Sequence, residues 1–276
     1  MKNIKRVLKE FIPPILLKIG KKRNPIKSCF SYDEAERLSK KGYQNSELVE
    51  LIITKTLNYA SEIEKNVDCN ISELSHLIGI SAVSKPTVNV IDFGGAAGCH
   101  YFSARKALPK NVTLNWCVVE TDLMVHECNK NINIPNLNFF KTIADAKFHL
   151  GNVDLVISNS ALQYTPQPID TLKILLGTET ENIFIVRTPF HSGDKPLFYV
   201  QSSLLGGNGP GKNPEYFKNI DKMTEYPLTV ESLRNFRNVI SADYNINLSW
   251  EEESNAFNNI KAEIRTYGFM ASRKII

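Results

Sequence analysis

The residues best suited to chemistry lie in segment 89–98, which reads Asn-Val-Ile-Asp-Phe-Gly-Gly-Ala-Ala-Gly. Its apolar first half predicts a buried strand with Asp92 near its end, and the following glycines predict a turn where a ligand can approach the backbone. A second acid, Glu120, ends the next apolar run, 22 residues after Gly98. A carboxylate there can accept hydrogen bonds from ribose hydroxyls, so the two strand ends predict a nucleoside-containing ligand.

Two other ligand classes fit the glycine segments less well. A dinucleotide fingerprint needs glycines two and five residues after its first glycine, and neither Gly94 nor Gly95 meets that spacing. Segment 206–213, Gly-Gly-Asn-Gly-Pro-Gly-Lys-Asn, ends in Asn213, where a phosphate-binding loop needs the hydroxyl of Ser or Thr. A purely structural turn at 94–98 stays an alternative, but three glycines together with two strand-end acids favour a ligand site.

Four short motifs follow one another along the chain. They are V-I-D-F-G-G, W-x-V-V-E, S-x-L-Q-Y and R-T-P-F, at residues 90–95, 116–120, 160–164 and 187–190. In these motifs the chain resembles class I S-adenosylmethionine-dependent methyltransferases, and most of all a group of methyltransferase-like proteins associated with bacterial surface-polysaccharide genes. The likeness covers about residues 28–276. It departs from the class at Ala96, where a glycine usually stands four residues after the acid.

The resemblance implies an α/β fold, a Rossmann-like seven-stranded methyltransferase sheet with an N-terminal helical cap, and S-adenosylmethionine as the cofactor. The cofactor-binding residues that it implies are Asp92, Gly94, Gly95, Gly98, Glu120, Asp145, Asn159, Ser160 and Gln163. Of these, Glu120 would hold the ribose and Asp145 the adenine, and the residues from Asn159 onward would face the sulfonium and the acceptor. Asp145 could equally be a solvated loop acid, and Asn159 and Ser160 could simply cap the next helix.

Methyl transfer is an in-line displacement at a sulfonium, so alignment is the main task of such an enzyme, and an oxygen acceptor also needs a general base. The predicted catalytic residues are His191, Arg187 and Tyr164, with His100 and Asp194 as further candidates for the base. Arg187 suits an anionic acceptor, although an ion pair with a core acid is equally consistent with its type. The five histidines show no metal-ligand spacing, so we expect no metal.

Apolar runs alternate with helical patterns from residue 86 onward, which predicts a parallel, doubly wound methyltransferase core over 86–276. The predicted helices lie at 99–108, 123–130, 168–176 and 229–237. The predicted strands lie at 88–93, 114–120, 137–140, 153–158, 183–187, 244–250 and 267–272. Residues 190–228 are rich in Gly, Asn and Pro, which predicts an irregular lid insertion.

The segment before the core divides into two parts. Residues 28–85 predict a helical cap, with a capping box at Ser31–Glu34, a helix start at Asn45 and a short helix over 71–78. Residues 1–27 carry nine Lys or Arg and one acid, a net charge of +8 that leaves −4 for the remainder of the chain. This basic amphipathic arm either rests on an anionic membrane surface through residues 1–23 or docks on the core of the protein.

Bulk composition limits the function classes. The 276 residues are 42% hydrophobic and 22% charged, and no basic stripe beyond the arm favours nucleic acid. Scattered cysteines and the absence of a long apolar run predict the cytoplasm, or the inner face of the membrane if the arm binds there. We expect a small-molecule or glycan acceptor, methylated at a hydroxyl or acidic group. A non-catalytic cofactor-binding or scaffold protein and an NAD(P)-linked sugar-modifying enzyme are the alternatives, and the sequence does not indicate an oligomeric state.

Overall fold

The computed structural model describes residues 26–40, 42–65, 84–252, 256–257, 260 and 262–275. The α-helices in these residues are α1 (Tyr32–Leu38), α2 (Ser46–Glu64), α3 (Cys99–Ala107), α4 (Asp122–Asn131), α5 (Ile143–Leu150), α6 (Pro168–Leu176) and α7 (Leu233–Asp243). The strands are β1 (Ile26–Cys29), β2 (Thr87–Phe93), β3 (Thr113–Val119), β4 (Leu137–Phe140), β5 (Leu155–Asn159), β6 (Asn182–His191), β7 (Leu197–Leu204), β8 (Met223–Ser232), β9 (Tyr244–Glu252) and β10 (Ile264–Arg273).

Seven of the strands form the main sheet in the order β4-β3-β2-β5-β6-β10-β9. The first five pair in parallel, whereas β10 runs antiparallel to both of its neighbours. The sheet confirms the predicted seven-stranded, Rossmann-like fold. Because successive strands run outward in one direction from β2 and in the other from β5, the chain switches direction between these two strands, and a crevice opens at their carboxyl ends.

Alternating side chains of the buried strands pack against helices on the two faces of this sheet. Val90 and Trp116 belong to the cluster that contains α2, α3 and α4, whereas Ile91 and Cys117 belong to the cluster that contains α5, α6 and α7. Successive residues of a strand point to opposite faces, so strands that are covered on both sides read as continuous apolar runs. Helix α5 (Ile143–Leu150) is not among the helices that the sequence pattern predicted.

The prediction of irregular structure over residues 190–228 is wrong. Strands β7 and β8 form an antiparallel hairpin there, and β1 pairs with the outer side of β7. This second sheet joins the main one through two residues of β6, Phe190 and His191, which pair in parallel with the end of β8. The Gly, Asn and Pro residues that suggested irregular structure are concentrated in the connecting segment 205–222, and Pro227 is accommodated within β8.

Two boundaries shift with the second sheet. Residues 229–232, which were predicted to begin a helix, complete β8, and α7 starts at Leu233 after a cap by Ser232. The helical cap likewise begins with a strand, β1, before its first helix. The predicted N-cap is present, since the Ser31 hydroxyl accepts a hydrogen bond from the backbone N–H of Glu34, while the Glu34 carboxylate accepts from the N–H of Phe30, one residue before the cap. The predicted helix at 71–78 and residues 1–25 of the basic arm lie outside the described residues.

Helix α2 anchors the glycine-rich connection between β7 and β8. The buried Lys55 ammonium donates to the backbone carbonyls of Gly206 and Asn208, at 3.2 and 2.7 Å. Burial lowers the pKa of Lys55. The segment that the sequence suggested as a free lid is therefore held to the body of the protein at its start. None of the described helices is long and apolar enough to cross a membrane.

Candidate active site at the switch point

The glycine turn after β2 packs more closely than any side chain would allow. Gly94 has a φ of +70°, and a Cβ there would lie 2.2 Å from the Cβ of Ala161. A Cβ on Gly95 would lie 2.3 Å from a carboxylate oxygen of Asp92. Ala96 adopts a φ of +52°, so the chain keeps a left-handed conformation at the position where the resembling class usually has glycine.

Asp92 lies beneath this turn and is fully buried. Its Oδ2 accepts a hydrogen bond from Trp116 Nε1 at 3.1 Å and lies 3.0 Å from Nδ1 of His100, in the first turn of α3. Its Oδ1 is buried without a hydrogen-bond partner among the described residues. The geometry gives Asp92 the task of holding the turn and α3 against β3.

A hydrogen-bonded chain leads from Asp92 to the end of β5. The second ring nitrogen of His100, Nε2, lies 3.2 Å from Asn159 Nδ2, so the imidazole bridges the carboxylate and the amide. Both of its nitrogens are engaged, which disfavours His100 as a general base. Asn159 Oδ1 is buried and has no described partner. An acceptor oxygen is thus available beside the glycine turn.

The Glu120 carboxylate forms hydrogen bonds to the backbone of the glycine turn and to that of the next residue, Thr121. One oxygen accepts from the Ala96 N–H at 3.2 Å and the other from the Thr121 N–H at 2.8 Å. Burial raises the pKa of Glu120, with these backbone donors acting in the opposite direction. The two strand-end features that the sequence singled out are therefore in direct contact.

The raised pKa of Glu120 predicts a pH dependence of stability. Ionisation costs more in the folded state than in the unfolded state, so this group makes stability fall as pH rises from the ordinary glutamate pKa of about 4.3 through the folded value. We expect the unfolding free energy of the wild type, relative to Glu120→Gln, to decrease as the pH is raised above the ordinary glutamate pKa of about 4.3. Urea titrations of both proteins at each pH measure this difference. A difference that is constant or grows with pH would contradict the assignment.

Asp145 lies at some remove from the turn, in the first turn of α5. It is exposed, its backbone N–H donates to the Thr142 hydroxyl at 3.1 Å, and its carboxylate accepts from that hydroxyl at 2.6 Å. It borders an open groove of about 590 Å³ at the β4 edge of the sheet. The adenine role of Asp145 stays a prediction, and its capping contact accounts for part of its hydrogen-bonding capacity.

A second, smaller cavity collects four of the predicted residues. Ser160, Gln163, Tyr164 and Arg187 line a space of about 170 Å³ at the carboxyl ends of β5 and β6. The other residues that line it are Pro189, Gln201, Leu228, Glu252, Ala256, Phe257 and Thr266. Because Gln201 of β7 and Leu228 of β8 contribute to its walls, the second sheet completes a cavity that the main sheet alone would leave open.

Backbone strain is concentrated around these two sites. Within the described part of the chain six non-glycine residues have a positive φ, and three of them are Ala96, Ser160 and Arg187, at φ values of 52°, 56° and 55°. They lie at or near the carboxyl ends of β2, β5 and β6, which are neighbours in the sheet. Such conformations each cost about 1 to 3 kcal/mol and are commonly found where function fixes the backbone.

The structure places the candidate general bases in different surroundings. Tyr164 donates its hydroxyl proton to Gln201 at 2.9 Å and packs against the ring of Tyr43, and burial raises its pKa, which disfavours it as a base at neutral pH. His191 is buried at the junction of β6 with β8, where its Nδ1 accepts from the Gly193 N–H at 3.0 Å, and it does not line the 170 Å³ cavity. Asp194 forms an ion pair with Arg234.

Sequence reasoning missed Glu252. This residue ends β9, and its Oε1 accepts from the backbone N–H of Arg187 at 3.2 Å. Glu252 stands in a run of three glutamates, 251–253, and a run of this kind gives no direction for any one side chain. Alternation along β9 could have helped, because Trp250 and Glu252 must share a face and Trp250 is a half-buried aromatic residue.

Comparison with solved structures finds similar folds at low sequence identity. The N-terminal domain of EvdMO1, solved in the presence of SAH and D-fucose, has a TM-score of 0.45 and 11% identity over 75% of this chain and 84% of that chain. An S-adenosylmethionine-dependent methyltransferase from Clostridium acetobutylicum has a TM-score of 0.45 and 12% identity over 78% and 96%. No protein-family model and no curated protein sequence matches the chain.

Proposed function

We propose that this protein is an enzyme that transfers a methyl group from S-adenosylmethionine to a hydroxyl or acidic group of a glycan or glycan precursor. The observation that carries this proposal is the contact between Glu120 and the glycine turn at the switch point, beside a separate polar cavity. A cofactor site and an acceptor site side by side are what a transfer between two bound molecules needs.

The chain's residues fit a nucleoside cofactor at the first site. Glu120 would accept hydrogen bonds from the ribose hydroxyls, and the half-buried backbone at Gly94 and Ala96 leaves room for close approach. Asn159 Oδ1, which lacks a described partner, could accept from the amino group of the methionine moiety. When bound, the cofactor supplies an electrophilic methyl group on a positively charged sulfur. We assign Asp92, Gly95 and Gly98 to the support of the turn and Asp145 to the adenine side.

The acceptor would enter the 170 Å³ cavity, whose lining residue Ser160 directly follows Asn159 at the end of β5. Its lining mixes amides, hydroxyls and both signs of charge with a few apolar side chains, as suits a hydroxylated, polar acceptor. The link to surface glycans and their lipid-linked or nucleotide-linked precursors rests on the resemblance in the four motifs at residues 90–95, 116–120, 160–164 and 187–190.

Ligand binding to the purified protein tests the proposal first. We expect S-adenosylmethionine and S-adenosylhomocysteine to raise the melting temperature, and NAD and NADP to leave it unchanged, because the turn lacks the dinucleotide spacing. Transfer of labelled methyl groups into lipid-linked sugars and cell-envelope glycans would then establish the reaction. Stabilisation by NAD or NADP instead would favour a dehydrogenase. Cofactor binding without transfer to any fraction would favour a scaffold protein.

A further inference from the structure

We infer that the 170 Å³ cavity binds a hydroxylated carboxylate of monosaccharide size, such as a uronate unit, with Arg187 pairing with the carboxylate and Glu252 receiving the hydroxyl proton. This inference rests on the proposed methyl transfer and narrows its acceptor. It depends on three features of the cavity: a cation that has no described counter-ion, a buried amide with a free acceptor atom, and a carboxylate held in place by one of its two oxygens.

Arg187 lies in a β-bulge, and the backbone of the bulge sets the direction of its side chain. The pairing of β6 with β10 shifts register between Tyr267 and Phe269, so that Arg187 and Val186 face only Gly268 across the strands. Bulges of this kind redirect a side chain, and the positive φ of Arg187 fixes the change. Among the described residues no carboxylate forms an ion pair with its guanidinium. Glu252, on the wall of the same cavity, accepts from the backbone N–H of Arg187 and makes no other hydrogen bond within the part of the chain that the structure describes.

A guanidinium that forms no such pair suits an anionic ligand. Its planar fork of donors matches a carboxylate or phosphate in two parallel hydrogen bonds. The cavity favours a carboxylate over a phosphate. The Glu252 carboxylate lines the same cavity, and it would repel a doubly charged phosphate more strongly than a singly charged carboxylate. A carboxylate on a hydroxylated ring satisfies both charged residues, with its anion at Arg187 and a hydroxyl at Glu252.

Gln163 supplies a buried acceptor atom. Its side chain is only 3% exposed, and its Nε2 donates to the Ser160 hydroxyl at 2.9 Å and to the Arg187 carbonyl at 3.4 Å. Its Oε1 is buried and has no hydrogen-bond partner among the described residues. Such an atom is costly unless a ligand supplies a donor, and a sugar hydroxyl is a donor of the right size.

Glu252 reaches the cavity because its neighbours hold β9 in place. Gly268 lets Trp250 lie across β10, since a Cβ there would come within 2.2 Å of the indole ring, and that ring packs against Phe184 of β6. Glu252, two residues on, shares that face and spans β10 to reach the Arg187 backbone. One oxygen is thereby fixed, and the other makes no hydrogen bond to a described residue.

The size of the cavity limits the acceptor to a single ring. Its volume of about 170 Å³ equals that of about five or six water molecules in the liquid. Apolar groups on Leu228 and Phe257 give part of the wall a surface on which the carbon face of a sugar ring can pack. A longer glycan would extend out of the cavity and place only its terminal unit inside.

The proposed transfer balances with these groups alone. The acceptor hydroxyl oxygen forms a bond to the methyl carbon while the carbon–sulfur bond breaks, and the electron pair of that bond stays on sulfur, which becomes neutral. The hydroxyl proton passes to the Glu252 carboxylate and then to solvent. Arg187 keeps its charge throughout and holds the acceptor in line with the methyl group.

Binding of D-glucuronate, with D-glucose as the neutral match, tests the site without any reaction. We expect saturation-transfer NMR on the full chain, in the presence of S-adenosylhomocysteine, to show tighter binding of glucuronate than of glucose. Arg187→Ala should weaken glucuronate binding by about tenfold, the loss of a charge-assisted bidentate contact. Glu251→Gln is the control, because Glu251 is exposed and paired with Arg265, and it should change nothing. Equal binding of the two sugars, or an unchanged affinity in Arg187→Ala, would overturn the proposed site.

The role of Glu252 has its own test. With labelled S-adenosylmethionine and a glycan fraction that accepts methyl groups, Glu252→Gln should lower kcat by about tenfold or more while it keeps glucuronate binding. An unchanged kcat would refute the base. S-adenosylhomocysteine binding separates this inference from the proposed function. If S-adenosylhomocysteine binds and glucuronate does not, only the acceptor assignment fails. If S-adenosylhomocysteine does not bind, the methyl-transfer proposal fails as well.

Discussion

Replacing Glu120 with alanine is expected to weaken S-adenosylmethionine binding by roughly ten- to a hundredfold. The proposed hydrogen bonds from ribose hydroxyls to this carboxylate are charge-assisted, and their loss corresponds to about 1.5 to 3 kcal/mol. The change also removes the acceptor of the Ala96 N–H, so the turn would lose a contact that shapes the cofactor site. Isothermal titration calorimetry of the wild type and the variant measures the effect directly.

Asp122→Asn is the matched control for this measurement. Asp122 lies two residues further along, is exposed, and pairs with Lys141 on the surface, so removal of its charge should leave affinity nearly unchanged. Circular dichroism before each titration shows whether the variants are folded. Equal affinity in Glu120→Ala and the wild type would refute the ribose role. A similar loss in Asp122→Asn would point to a general effect of local charge.

The main sheet could be predicted because its strands are buried on both faces. Segments such as 88–93 and 114–120 are mostly apolar, which is the pattern of parallel strands between layers of helices, and each carries an acid at or next to its end. The cofactor side could be predicted for the same reason. Asp92, the glycines and Glu120 all stand at strand ends, and the topology brings parallel strand ends to one edge.

The acceptor side could not be predicted from local sequence, because distant segments form it. Gln201 and Leu228 come from the second sheet, Glu252 from β9 and Phe257 from the connection that follows. The hairpin of β7 and β8 was hidden by its glycine-rich connection, although β8 itself is mostly buried. Arg187 was recognised by its position, but the bulge that aims it depends on pairing with β10, more than 70 residues later.

Gly95 was predicted from the sequence as a cofactor-binding residue, and the structure gives it a different role. The resemblance implied that Gly95 lies against the cofactor. The structure places the Asp92 carboxylate there instead, within 2.3 Å of where a Cβ would stand. The glycine therefore serves the fold of the turn first, and the cofactor only through that fold.

Replacing Gly95 with alanine is accordingly expected to destabilise the protein even without ligand, by about 2 to 4 kcal/mol. The Cβ forces the buried Asp92 carboxylate away from Trp116 Nε1 and His100, and the polar groups left behind have no water to replace it. The backbone at Gly95 is not in the left-handed region, so collision, not φ, is the cause. Urea unfolding measures the loss.

A double-mutant cycle with Asp92→Ala decides whether this collision is the source. Removal of the carboxylate leaves Trp116 Nε1 unpaired and should itself cost about 1 to 3 kcal/mol. Once the carboxylate is gone the space beneath Gly95 is open, so Gly95→Ala should then cost less than about 1 kcal/mol, and the two effects should be strongly non-additive. Additive effects would show that the alanine is harmful for a reason unrelated to Asp92. Gly94→Ala is the contrasting control: its Cβ meets Ala161 and its φ is +70°, so Asp92→Ala should not relieve it.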